Sequence, residues 1–334
     1  MTKYSPWSNP ADPEVFFKLE AYNQLLKELG WEDKVEWLSQ WMDRGGRELA
    51  VNSWQPGTKS DWFWGLGLPF LSDVERYLFN KEERKIFGIS GLPGSGKTSF
   101  GKWLNNAALE LDWPLTVISI DDFYLPAPEL EKAMAGNPWE VPRGLPGSHS
   151  IQLINKTLEK WEETGHLKAP QFDKALRNGR GDRSGWVHSN PKILVIEGWF
   201  IGCPLSADMQ NSRKDHFENE PLRTIEKDFR VKVQHSLSTY QTIWNKFERI
   251  WHLKAEDFQS VNSWKTQQEA NQQRERGASL KGDHLQRFLR MIQTAIPQED
   301  LQSVKSNVVA TLDTSRRITW VGPRESIKGL ARED

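Results

Sequence analysis

The chain has 334 residues, enough for one α/β domain with additions or for two modest domains sharing an interface. Its 45 acidic and 44 basic residues leave a formal net charge of −1, which excludes a bulk attraction to nucleic acid or anionic lipid and confines any phosphate recognition to a local site. The single Cys203 excludes an intramolecular disulfide and a thiolate metal cluster, and the start MTKYSPWSNPADPEVFF lacks both the pattern of a secretory signal and the composition of a transit peptide, so the cytosol is the expected compartment.

Asp12-Pro13 opens a helical pattern in which Phe16, Leu19, Tyr22, Leu25, Leu26 and Leu29 fall mostly on one face, and Gly30 closes it. A second short helix follows, with Val35, Leu38 and Met42 turned inward. Gly45-Gly46 and NSWQPGTKSDW break the pattern, and Pro69 to Phe79 resumes it through Leu71, Val74 and Leu78, the proline standing at the helix start. Residues 1–82 therefore read as a helical extension packed on a body at 83–334. Of 17 tryptophans, seven (Trp7, Trp31, Trp37, Trp41, Trp54, Trp62, Trp64) lie in this extension, and large rings there serve to glue it to the body. Docking a protein partner is the other role open to it. The apolar passage Trp62 to Leu71 is interrupted by glycines and a proline and falls far short of the ~20 residues of a spanning helix, so no membrane partner is expected.

From Lys85 the texture changes. KIFGIS, LTVISI, KILVIEG and FERIWHLKA are short β-branched or aromatic runs separated by helical stretches, the alternation of a mainly parallel sheet covered by helices. The segment from Lys174 to Asn190 is polar and rich in Gly and Arg, and reads as a mobile loop or lid. Glu256 to Arg276 and Gly282 to Ile296 read as helices, and Val308 to Asp313 with Arg317 to Val321 as a final hairpin or edge strands.

Gly91-Leu92-Pro93-Gly94-Ser95-Gly96-Lys97-Thr98, with Ser99 next, completes the pattern GxxxxGK[ST] between a strand-like run and a helical one. Glycines at these positions let successive backbone N–H groups converge on phosphate oxygens at a helix N-terminus. Lys97 is expected on the β- and γ-phosphates of ATP and the Thr98 hydroxyl on Mg²⁺. The class is a P-loop NTPase fold with three layers. LTVISIDDFYLP then delivers two carboxylates to the C-terminal end of the second predicted strand, where such sheets gather ligands. Consecutive strand residues point to opposite faces, so one of Asp121 and Asp122 approaches an acceptor hydroxyl while the other pairs or caps a turn.

SIDDFYLP after a P-loop, then RGLPGSH, FDKALRNGRGDR, VIEGWF and LKAEDFQSVNSWKTQQE, resembles the plant-type D-glycerate 3-kinase family, a branch of the P-loop kinases related to uridine kinase, pantothenate kinase and phosphoribulokinase. The resemblance runs from about Lys85 to Arg317. It implies transfer of phosphate from ATP to D-glycerate, with Asp121 as the general base and Lys97 supporting transfer. It sets Glu197 toward Mg²⁺, a role that a buried strand ending in an acid beside a P-loop already suggests. Tyr124, Arg143, His149 and Lys174 fall to the acceptor, Arg143 by a bidentate pair with its carboxylate. Arg180 and Arg183, more than Arg177, are expected to arrive with loop closure. Two positions depart from the family: Ser150 stands where an aspartate is usual, and Lys265, after Trp264, where an arginine is. They keep open a nucleoside, pantothenate or other small alcohol as acceptor. A non-catalytic nucleotide-binding regulator is the rival from another class.

Overall fold

Strands buried on both faces read as near-continuous apolar runs, and of the four runs from Lys85 onward the one at Ile193–Gly198 is buried at every position. The computed structural model describes residues 12–52, 58–79, 83–205, 221–276 and 279–327. Its strands are β1 (Lys85–Gly91), β2 (Leu115–Ser119), β3 (Leu167–Asp173), β4 (Asp182–Ser189), β5 (Ile193–Gly198), β6 (Phe247–Ala255), β7 (Val308–Leu312) and β8 (Ile318–Pro323). Six of them form one sheet in the order β2-β5-β1-β6-β7-β8, parallel except for β8, which runs antiparallel to β7. Parallel pairing brings the C-terminal ends of β1, β2, β5 and β6 to one edge. There Glu197 of β5 lies level with Ile89 of β1 and Ser119 of β2.

The segment read as a lid holds more order than expected. Asp182–Ser189 pair antiparallel with β3 as a separate two-stranded sheet, leaving the turn at 174–181. Its side chains alternate in exposure along β4, and such a solvated ribbon requires no apolar run, so its polar composition concealed it. The helical pattern from Asp12 is also divided, into Asp12–Phe17 and Glu20–Glu28.

Residues of the extension share one apolar core with the sheet. The Trp37 and Trp41 indoles both donate to Ser72 Oγ at 2.9 Å, and Trp103 of the helix after the P-loop donates to Leu49 O at 3.1 Å. Phe70 packs on Trp251 of β6, ring centroids 5.3 Å apart. Trp7 and Trp54 lie outside the described residues. No helix among the described residues is long and apolar enough to cross a membrane.

One buried carboxylate ties the extension to β6. Asp73, fully buried, accepts from Arg249 Nε and Trp251 Nε1, each at 2.9 Å, and from Arg76 at 3.1 Å. Removing it strands a guanidinium and an indole N–H in the core. Asp73→Ala should lower unfolding free energy by about 3–5 kcal/mol, read from the midpoint and slope of a urea titration. A loss no larger than that of an exposed ion pair would show that this junction carries little of the stability.

Candidate active site

The turn after β1 folds as it does because two of its glycines take backbone shapes that other residues avoid. Gly94 has φ +79° and Gly96 φ +106°, the latter capping helix Lys97–Glu110. Space excludes side chains there too. A first side-chain carbon at Gly94 would meet the Trp264 backbone at 2.7 Å, and one at Gly96 the Trp62 ring at 2.7 Å. The loop is thus pressed between the extension and helix Ser260–Arg276. Arg316 completes the clamp: Nε donates to Gly94 O at 2.6 Å and a terminal nitrogen to Trp264 O at 3.0 Å, while Trp62 Nε1 donates to Arg316 O at 2.7 Å.

Within the loop, buried Lys97 donates to Gly91 O at 2.7 Å and Leu92 O at 3.0 Å. Burial pulls its pKa down to about 8, against the opposing pull of Glu197 and Asp121. Ser95 is fully buried, its N–H on Leu92 O, whereas Pro93, Thr98 and Ser99 line the cleft. Thr98 Oγ1 donates to Glu197 Oε1 at 2.9 Å. No group of three His, Cys, Asp or Glu with metal-holding geometry occurs among the described residues. A hydroxyl and a carboxylate beside a phosphate-binding turn are still a fitting donor set for Mg²⁺, which takes few protein oxygens and completes its shell with water and phosphate.

A cleft of about 1590 Å³ runs along this edge from Lys59 and Arg316 to Arg143 and Lys265. Asp121 and Asp122 reach it on a 3₁₀ turn, Ile120–Phe123, rather than on the strand itself. Ser119 and Asp122 cap that turn reciprocally, and Asp122 also accepts from Phe172 N at 3.2 Å, so both its oxygens are spent on the backbone. Burial pushes its pKa up to about 6. Asp121 instead meets side chains: Lys174 Nζ donates to Oδ2 at 2.6 Å and Tyr124 Oη to Oδ1 at 2.9 Å. Burial alone would raise Asp121, but Lys174 above all outweighs it and holds the carboxyl well below the usual range. An ionised acceptor therefore stands at the sheet edge, across the cleft from the phosphate turn.

The other expected residues divide. Lys174 and Tyr124 meet Asp121 as stated. Arg143 lines the cleft, but one terminal nitrogen donates to Gly179 O at 2.7 Å and Arg180 O at 2.9 Å, fastening the 174–181 turn from below. At its tip Arg177 and Asn178 have φ of +54° and +57°, a pair of left-handed non-glycine residues. Arg177 and Arg180 both line the cleft and pair with Glu131, at 2.7 and 3.3 Å. Arg183 does not line it; it sits on β4 with Nε buried and unpartnered. Arg177 and Arg180 are thus placed at the cleft, and Arg183 is not.

His149 requires a correction as a contact of the acceptor. Its side chain has no exposure and stands behind Asp121, stacked on Tyr124 with ring centroids 4.4 Å apart. The chain brings it there because Tyr124 and His149 bridge two loops as an isolated antiparallel pair. Ser150 caps helix Ile151–Thr164, accepting from Leu153 N at 3.3 Å. Serine and aspartate serve equally as caps, so this departure from the family pattern falls on a helix start and not on the cleft wall. Lys265 does reach the cleft, nearly buried, its Nζ 2.6 Å from Glu269 and 4.8 Å from the Phe288 ring centre. Sequence reasoning missed the Trp62–Arg316 clamp and Tyr240, which bonds His149; no local motif marks either.

No family model matches the chain. The uncharacterised kinase mug58 of Schizosaccharomyces pombe is 31% identical over 201 residues, 55% of this chain and 69% of that protein. The chloroplastic D-glycerate 3-kinase of Arabidopsis thaliana is 30% identical over 218 residues, 61% of this chain and 45% of the relative, so this chain spans under half of that relative's length. Among solved structures, D-glycerate 3-kinase from Cryptococcus neoformans var. grubii superposes with a TM-score of 0.62 at 22% identity, over 76% of this chain and 96% of that one, which shows the fold. The chain is a P-loop kinase, a nucleotide-binding phosphotransferase. Within that class it belongs to the family of the plant-type D-glycerate 3-kinases.

Proposed function

We propose that the chain transfers the γ-phosphoryl group of ATP to the 3-hydroxyl of D-glycerate, giving 3-phosphoglycerate and ADP. The observation that carries this reading is Asp121: an ionised carboxylate at the sheet edge, opposite a phosphate turn and beside Lys174. In this reading the loop from Gly91 to Ser99 binds the phosphates, with Lys97 drawing charge from the β- and γ-oxygens. Thr98 and Glu197 would hold Mg²⁺, which would supply neutralisation of phosphate charge.

The acceptor lies between Asp121 and the far wall. As its oxygen bonds to phosphorus, its proton passes to Asp121 Oδ1 or Oδ2 and the bond to the ADP oxygen breaks. Lys174, Lys265 and Arg143 give this end of the cleft a positive surface that fits a small hydroxy-carboxylate. A nucleoside or pantothenate acceptor is the second reading, favoured by Lys265, whose ammonium is partly neutralised by Glu269 and lacks the planar fork of an arginine. The 174–181 turn serves as the lid, and Arg177 and Arg180 exchange Glu131 for phosphate oxygens on closure. The extension's part is to buttress the phosphate turn through Trp62. Neither a basic stripe nor an aromatic platform for nucleic acid is part of this reading, which is set in the cytosol.

The test is ADP formation with MgATP and a panel of acceptors. D-glycerate should give the highest kcat/KM, with product identified as the 3-phosphate. Turnover of uridine or pantothenate with none on D-glycerate would transfer the reading to the second acceptor class. Nucleotide binding without turnover on any acceptor would favour a regulator.

A further inference from the structure

Tyr240 lies outside the cleft, fully buried, and its hydroxyl meets two polar partners. Gly147 N donates to it at 3.1 Å. The same oxygen stands 2.9 Å from His149 Nδ1. Among the described residues Nδ1 is the one acceptor that meets this buried hydroxyl's hydrogen, so the O–H donates to Nδ1. Nδ1 is then the bare nitrogen of the ring, and the hydrogen sits on Nε2. That nitrogen is buried, has no hydrogen-bond partner, and faces Asp121 Oδ1 at 3.7 Å.

We propose that Tyr240 is a positioning residue: by donating to Nδ1 it holds His149 as the neutral Nε2–H tautomer, which presents a hydrogen to Asp121 and has no lone pair to take the acceptor's proton. This rests on the reading of Asp121 as the proton acceptor. The charged groups facing the ring are Asp121 and Lys174, and the other titratable ones are Tyr124 and Tyr240; Phe200 closes the remaining side. Protonating the ring would turn the Tyr240 hydroxyl from donor to acceptor and leave its buried hydrogen without the acceptor it has in Nδ1. Asp121 consequently keeps a neutral donor beside it instead of an imidazolium, whose charge would weaken it as a base. Burial lowers the His149 pKa against the pull of Asp121, which acts in the same direction as the hydrogen-bond argument.

The direct test is nitrogen-15 NMR of the full chain labelled at histidine. The His149 ring is assigned by its loss in His149→Gln or, should that variant not fold, by through-space contacts to the Tyr124 ring. The expected result is a neutral Nε2–H ring that does not titrate from about pH 8 down to about pH 5.5, below the ordinary histidine range. An Nδ1–H ring, or titration near about 6.5, overturns the proposal.

The kinetic readout is Tyr240→Phe with MgATP and D-glycerate. Removing the hydroxyl frees Nδ1 to take a proton, so the variant should gain an acid limb in kcat at about pH 6.5 that the parent lacks, with KM for ATP unmoved. Equal loss of activity at every pH would make Tyr240 a packing residue. Failure to turn over D-glycerate defeats the proposed substrate, whereas the ring's tautomer is read with no substrate present and stands or falls by itself.

Discussion

Asp121→Asn should lower kcat by about 10²–10⁴-fold while leaving MgATP affinity near neutral pH unchanged. The substitution keeps the shape of the side chain, leaves one oxygen to accept where Asp121 accepts with two, from Tyr124 and Lys174, and removes its ability to hold a proton. The contrast with Asp122 sharpens the expectation. Asp122 is one residue away, yet both its oxygens serve backbone N–H groups of the turn and of Phe172. Asp122→Asn should therefore act on the stability of the turn. Single-turnover quench measurements at saturating MgATP and D-glycerate separate the outcomes. Retention of the chemical step by Asp121→Asn would remove Asp121 as base, and a parallel loss of nucleotide affinity would make it a structural residue of the phosphate site.

The parts of this site that were legible in the sequence are those where one local motif fixes both backbone and chemistry. The P-loop is the clearest case, since its glycines, lysine and threonine are read from eight consecutive residues, Gly91 to Thr98. Glu197 was legible because a wholly apolar strand ends on it. Asp121 was legible by position at a strand end, though not its 3₁₀ turn, which depends on Ser119 and Asp122 capping each other. What escaped notice depends on contacts far apart in the chain. His149 lies next to a tight turn and reads as a contact of the acceptor. It stands away from the cleft because Tyr124, Phe200 and Tyr240, from three other segments, close around it. Arg143 likewise reads as a guanidinium for the acceptor's carboxylate, and its engagement with Gly179 and Arg180 follows from the return of the β3–β4 ribbon over it. The final hairpin was expected from Val308 to Asp313 and Arg317 to Val321, and β7 and β8 occupy nearly those bounds, since strand-forming residues flank a polar turn there.

The second large effect concerns protons taken up with nucleotide. Lys97 has its pKa drawn down to about 8 by burial, and a triphosphate placed on the P-loop would set several negative charges against its ammonium. Those charges favour the protonated form, so the pKa must rise on binding, and by linkage the affinity must depend on pH. The sign follows directly. Below about 8 the ammonium is already charged and affinity is flat; above it, each further pH unit should weaken MgATP binding about tenfold, until the bound-state pKa is reached.

Calorimetry in two buffers of different ionisation enthalpy should register uptake of about half a proton per nucleotide at about pH 8, where the free lysine is half-titrated. Lys97→Met should abolish that uptake, flatten the pH dependence of affinity, and cost on the order of 10²–10³ in kcat, as expected when a preorganised charge on the transferring group is lost. Lys265 is the internal control, because burial lowers its pKa as well and it borders the same cleft. Uptake that survives in Lys97→Met and vanishes in Lys265→Met would transfer the titration to Lys265. It would then be the ammonium on helix Ser260–Arg276, and not the lysine of the phosphate turn, that meets the developing charge.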